Sequence, residues 1–160
     1  GVTIVIVKKS LAGHELPITP LMLNWQTEIE KDSMYNTPPC WCIYMLGLVC
    51  DWLESQGGVA GMEKIKHGKA QMLYDTIDDS RLFTCAAQSG SRSDMNVTFR
   101  TGDGGLDAEF IKGASERGLL NLKGHKLAGG MRASLYNAMP VEGAKTLVEY
   151  MKEFEAGHHV

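Results

Sequence analysis

The chain has 160 residues, of which 44% are hydrophobic and 22% charged, and its net charge is −3. That length holds one domain with a real core, or one small domain and a piece of another. The mild negative charge argues against a nucleic-acid or membrane-surface partner, since neither polyanion attracts it over long range, and no run reaches the roughly 18 apolar residues of a membrane span.

The opening run, Gly1-Val2-Thr3-Ile4-Val5-Ile6-Val7, is apolar, with no basic start and no cleavage site. It reads as a buried strand needing neighbours on both sides, so the chain is expected to lack the sequence before it. Residues 11–35 contain Pro17 and Pro20 and follow no period, as functional or packed irregular stretches do. Trp25 reads there as a short strand or core anchor. Thr37 then suits a helix N-cap and Pro38 a first helical position. Trp41, Tyr44, Met45, Leu48, Val49 and Trp52 recur at helical spacing until Gly57-Gly58. This helix is apolar around most of its circumference, which predicts burial between domains or subunits.

Three of the four cysteines (Cys40, Cys42 and Cys50) lie in that helix, and the fourth is Cys85. Cys40-x-Cys42 lacks the second ligand pair of a zinc site, so no metal is expected. Free thiols in a reducing compartment, the cytoplasm, are the better reading. No neighbour in sequence suggests that Cys50 or Cys85 is an activated nucleophile.

A second helix is predicted over 59–79, with Val59, Met62, Ile65, Met72, Leu73 and Ile77 as its apolar stripe. It reads as a connector into a separate domain, dividing the chain into residues 1–58 and 59–160. Strands are predicted over 82–87 and 95–100, a helix over 106–117, strands over 119–122 and 131–136, and a last helix after Pro140. The order ββαββα predicts an α+β sandwich, with helices on one face of a mostly antiparallel sheet, at the end of a chain of α/β class. The tail Gly157-His158-His159-Val160 reads as frayed, with solvated histidines.

Two constellations carry chemistry. Lys123, His125, Lys126 and Arg132 surround the turn Ala128-Gly129-Gly130. Arginine grips a carboxylate with two parallel hydrogen bonds, histidine donates to phosphate or carboxylate oxygens, and glycine lets the backbone come close. The same cluster also reads as a solvated surface hairpin. The second is Tyr35-Asn36-Thr37-Pro38-Pro39 at a helix start, where free N–H groups attract phosphate, or where Thr37 merely caps its own helix. There is no Walker loop and no Ser-His-Asp arrangement, and Gly102-Asp103-Gly104-Gly105 lacks the strand–turn–helix setting of a nucleotide site.

With Asp32-Ser33-Met34-Tyr35-Asn36-Thr37-Pro38-Pro39, Lys123-Gly124-His125, Gly129-Gly130-Met131-Arg132-Ala133-Ser134 and Tyr136-Asn137-Ala138-Met139-Pro140, the chain resembles the phosphoserine aminotransferases, a class V branch of the aspartate-aminotransferase fold. The opening run and Met95-Asn96-Val97 fit as well. The resemblance implies a homodimeric pyridoxal 5'-phosphate enzyme that moves an amino group between glutamate and 3-phosphohydroxypyruvate, giving 2-oxoglutarate and phosphoserine in serine biosynthesis. It implies that residues 1–58 end the large cofactor domain and 59–160 form the small domain. The Schiff-base lysine would precede Gly1, leaving no catalytic residue in this chain. Arg132 would bind the substrate α-carboxylate. His125 would bind the substrate phosphate or the distal carboxylate of glutamate, beside Lys126. Asn36 and Thr37 would reach the cofactor phosphate of the partner subunit. The chain departs from the family at Lys126, where arginine is usual, and at Thr98, where proline is common and the change reads as structural. Two other readings stand beside this one: a non-catalytic α+β module that binds a small anion or a protein partner, and an inert truncated product.

Overall fold

A computed structural model describes residues 1–158, so His159 and Val160 of the predicted frayed tail lie outside the described residues. The chain divides into two compact units, Gly1–Ser55 and Gln56–Val160.

In the first unit the opening run forms no strand, and Ile6 is 97% exposed. A lone extended segment has nothing to ladder with, which is why the strand pattern yields no strand here. The irregular stretch does contain a short 3-10 turn, Leu21–Leu23, and the helix Trp25–Glu30 (α1), whose N-cap Asn24 accepts from the Thr27 N–H at 3.0 Å. Asn24 was the readable signal, and Trp25 is helical rather than extended. The chain leaves α1 through Asp32 and Ser33, both left-handed, with φ of 49° and 62°. Helix Cys40–Ser55 (α2) starts later than the Thr37–Pro38 signal predicts. The Pro39 carbonyl accepts the Ile43 N–H, and Thr37 is not its cap. Nor is α2 buried: Trp41 is 70% exposed, and no residue of Gly1–Ser55 is fully buried. The all-round apolar pattern was read correctly, but nothing in this unit covers it.

The second unit holds the core. It runs Gly58–Asp79 (α3), Asn96–Phe99 (β1), Gly104–Glu116 (α4), Met131–Ser134 (β2) and Val141–Gly157 (α5). Strands β1 and β2 pair antiparallel, with Val97 opposite Ala133 and Phe99 opposite Met131. Those four side chains are buried, while Asn96, Thr98 and Arg132 point to the open face. Helices α3 and α5 pack together over the buried face, and Phe83, Phe99, Phe110, Tyr150 and Phe154 fill the interior edge to face. Helix α4 begins two residues earlier than predicted, because the Asp103 carboxylate accepts from the N–H groups of Gly105 and Leu106.

The α+β character and the antiparallel pairing agree with the sequence pattern, but the two outer strands shrink to single bridges, Thr84 with Arg100 and Lys123 with Met131. In the first case the Ser80 hydroxyl and the Glu155 carboxylate take the N–H groups of residues 81–83, so those donors never enter a ladder. In the second, Leu119 N–H returns to the Ala114 carbonyl, and Asn121 is left-handed at φ 62°, which breaks the extended path. His158 also departs from the frayed reading. Its ring stacks on Phe154 with centroids 4.0 Å apart, and its Nε2 lies 3.3 Å from the Glu109 carboxylate.

Candidate anion-binding site

The hairpin between the Lys123 bridge and β2 is held by backbone. Gly124 N–H donates to the Gly130 carbonyl at 2.9 Å, and Arg132 N–H to the Leu122 carbonyl at 2.7 Å. Inside it, the His125 carbonyl accepts from Ala128 at 3.0 Å and Gly129 at 2.9 Å, closing one tight turn. Gly129 and Gly130 have φ of 69° and 63°, which side-chain residues avoid. A Cβ on Gly130 would lie 2.7 Å from the Phe99 carbonyl oxygen, and one on Gly124 would strike the Gly129 and Gly130 carbonyls. The glycines are therefore what lets the hairpin close against β1.

That closure fixes the side chains around it. Leu127 N–H donates to His125 Nδ1 at 3.3 Å, so the neutral ring carries its proton on Nε2, where it can donate outward. Arg132 stands on the open face of β2 opposite Thr98. A cavity of about 340 Å³ lies beside the hairpin, lined by Thr98, Arg100, His125, Gly129, Met131 and Arg132 among others. It has three basic linings and no acidic one. Among the described residues, neither the Arg100 nor the Arg132 guanidinium has a hydrogen-bond or ion-pair partner. Arg92 contrasts with them, making a two-pronged bond to Asp78 at 2.6 Å on each side, and so does Arg117, bonded to Glu153 at 2.5 Å. Unpaired arginines over a partly apolar wall suit a small anion, which would meet little competition from protein carboxylates. A larger cavity of about 570 Å³ lies between α3 and α5, but its four acids (Asp75, Asp79, Glu149, Glu155) outnumber its two lysines (Lys145, Lys152), which disfavours an anion there.

The structure thus brings His125 and Arg132 together and leaves Lys126 out: that side chain is exposed in the turn and does not line the cavity. Asn36 and Thr37 belong to the first unit and are both exposed. Asn36 Nδ2 donates to Met22 Sδ at 3.2 Å, and the Thr37 hydroxyl has no partner among the described residues. No three His, Cys, Asp or Glu side chains gather to hold a metal ion among the described residues.

Two residues escape sequence reasoning. Arg100 lies far from the basic turn in sequence, and only strand pairing brings it to the cavity. Lys69 of α3 is fully buried, and its Nζ donates to the Tyr136 and Met139 carbonyls at 2.9 Å and lies 3.4 Å from that of Asn137. Burial, and then the charge of Lys66, hold its pKa below the ordinary lysine value. It pins the loop that leaves β2. The readable signal was its position, seven residues after Met62 and four after Ile65, on the apolar stripe of the helix.

Comparison with known proteins gives the following. The family described as aminotransferase class-V matches residues 1–147. The phosphoserine aminotransferase of Lactiplantibacillus plantarum is 54% identical over 158 residues, covering 99% of this chain and 44% of that protein. The solved phosphoserine aminotransferase of Bacillus circulans subsp. alkalophilus aligns with a TM-score of 0.89 and 39% identity, over 94% of this chain and 42% of that one. A pyridoxal-phosphate-bound phosphoserine aminotransferase from Trichomonas vaginalis aligns at 0.80 and 37% identity, over 86% of this chain and 39% of the other. The chain therefore spans less than half the length of these relatives.

Proposed function

The chain belongs to the class-V aminotransferase family, and from that premise we propose that it supplies the substrate-anion side of a phosphoserine transaminase, an enzyme that exchanges the amino group between glutamate and 3-phosphohydroxypyruvate. The observation that carries this reading is the cavity where Arg132 and His125 meet with no acidic residue in its lining. The Arg132 guanidinium clamps the substrate α-carboxylate with two parallel hydrogen bonds and so sets the orientation of the α-carbon. His125 donates from Nε2 to the distal phosphate of phosphoserine or the distal carboxylate of glutamate, and the glycine-locked hairpin holds the ring in place. Lys126, exposed in the turn, adds long-range attraction and not a fork.

Pyridoxal 5'-phosphate, when bound, supplies the electron sink for moving the amino group. The residues in this chain fit its phosphate end alone. Asn36 and Thr37 are exposed donors beside a helix start, and we assign them to the cofactor phosphate of the partner subunit in a homodimer. The buried Lys69 is no candidate for the covalent lysine, because its Nζ is committed to backbone carbonyls. We place that lysine outside this chain. Residues 1–58 are accordingly assigned to the large cofactor domain and 59–160 to the small domain, with no nucleic-acid or membrane partner. No helix among the described residues is long and apolar enough to cross a membrane, and the four cysteines are free, which supports a cytoplasmic setting.

The test is amino-group exchange in the complete enzyme. Phosphoserine and 2-oxoglutarate should give glutamate one for one. Arg132→Ala should weaken carboxylate binding by about 2–5 kcal/mol, the scale for removing one partner of a close charge pair. No exchange with phosphoserine, or a glutamate response untouched by Arg132→Ala, would overturn the reading.

A further inference from the structure

Arg132 alone does not account for the charge in the cavity. Arg100 follows the last residue of β1, and its backbone is locked on the outer side by reciprocal hydrogen bonds with Thr84, at 2.8 and 3.0 Å. It lies two residues along from Thr98, the residue opposite Arg132. Arg100 is thus the diagonal cross-strand neighbour of Arg132, on the same open face. Such neighbours stand about 7–8 Å apart at Cα, within reach of long side chains. Gly130 fills the place directly across from Arg100, so no side chain stands between Arg100 and the cavity. A Cβ at Gly130 would come within 3.0 Å of Arg100 Cβ.

Two exposed guanidinium groups at this spacing repel each other, and neither has a carboxylate to offset that among the described residues. The arrangement suits a ligand that brings two anionic groups of its own. The hairpin carries no second fork, since Lys126 is outside the cavity and a lysine binds phosphate as a point charge. We infer that Arg100 is a specificity-determining residue that grips the distal anion of the substrate, a phosphate or side-chain carboxylate, while Arg132 holds the α-carboxylate. Arg100 then does the work that the turn's lysine cannot, and selects dianionic amino acids over those with one carboxylate. This rests on the transaminase reading for the identity of the ligand, and on strand register alone for the position of the charge.

Two measurements separate the two claims. In the complete enzyme, Arg100→Gln should raise the ratio of KM for phosphoserine to KM for alanine about tenfold or more, and Arg100→Lys should restore part of the loss. An unchanged ratio, or an equal rise for both amino acids, would overturn the assignment. If the wild-type protein shows no amino-group exchange, the transaminase reading fails and inorganic phosphate becomes the probe. Titration followed by the His125 imidazole resonances should then show phosphate binding at least tenfold weaker in Arg100→Gln than in wild type. Equal binding by both proteins, or none by wild type, would overturn the role of Arg100. The Arg100 side chain is exposed and Arg100 meets Thr84 only through its own backbone N–H and carbonyl, so the glutamine variant keeps the fold, and thermal unfolding checks this directly.

Discussion

Lys69 sets the terms at the scale of single residues. A lysine on the apolar face of α3 has to satisfy its ammonium group without water, and the carbonyls of the loop after β2 provide the acceptors. Lys69→Met keeps the length and loses the donors. Stranding buried carbonyls costs about 1–3 kcal/mol, so the urea midpoint should fall while the slope of the transition holds. An unchanged midpoint would show that this contact contributes nothing. The meeting of Arg132 and His125 at one cavity was legible in sequence because charge and glycine sit side by side there. Arg100 and Lys69 were not, because each meets its partners only through the fold: one by strand register, the other by a helix crossing a loop.

Single elements are bound to one another by polar clasps as much as by the aromatic core. Arg92, just ahead of β1, lies 4.6 Å over the Tyr74 ring of α3 and forks onto Asp78 of the same helix. The Arg92 hydrogen bonds hold the Asp78 carboxyl below its ordinary pKa, while burial pushes the Tyr74 hydroxyl up. For a depressed carboxylate the unfolded chain binds its proton first as pH falls. The clasp therefore contributes fully above the ordinary aspartate value of about 3.9, and its contribution is lost as pH drops through the lower folded value. Denaturation midpoints measured down this range should fall more steeply for wild type than for Asp78→Asn; parallel curves would refute the coupling. Asp78 is half exposed, so solvent screening keeps the effect small. Helices α2 to α5 were readable from stripes and caps, with errors of a turn or less at their starts, but α1 was not: two turns are too short to show a stripe, and only its Asn24 cap marks it. The edge strands were not readable, because a pattern of apolar residues cannot reveal that Ser80 and Glu155 take up the backbone donors they need.

For the molecule as a whole, the core lies in Gln56–Val160, while Gly1–Ser55 has no fully buried residue and exposes Ile4, Ile6, Trp41 and Tyr44. So much apolar surface is not left bare by a stable monomer. The 160-residue chain by itself should self-associate in sizing and light-scattering experiments. Given pyridoxal phosphate, it should develop no new absorbance band and no exchange activity. A monodisperse monomer, or turnover by this chain alone, would contradict that expectation. The sequence showed this surface as an all-apolar helix but could not show its cover, since burial is a property of two surfaces and the pattern of one helix describes only its own. The hairpin, by contrast, is complete within the chain, and Gly130 decides how it can drift over evolutionary time. Any side chain there is opposed twice, by a left-handed backbone and by the Phe99 carbonyl at 2.7 Å, so no single neighbouring substitution can restore tolerance. Lys123 and Lys126 are exposed and meet no such steric bar. Descendants of this sequence can therefore retune the charge of the loop many times over while its path stays frozen, changing how strongly an anion is drawn in but not where it lands.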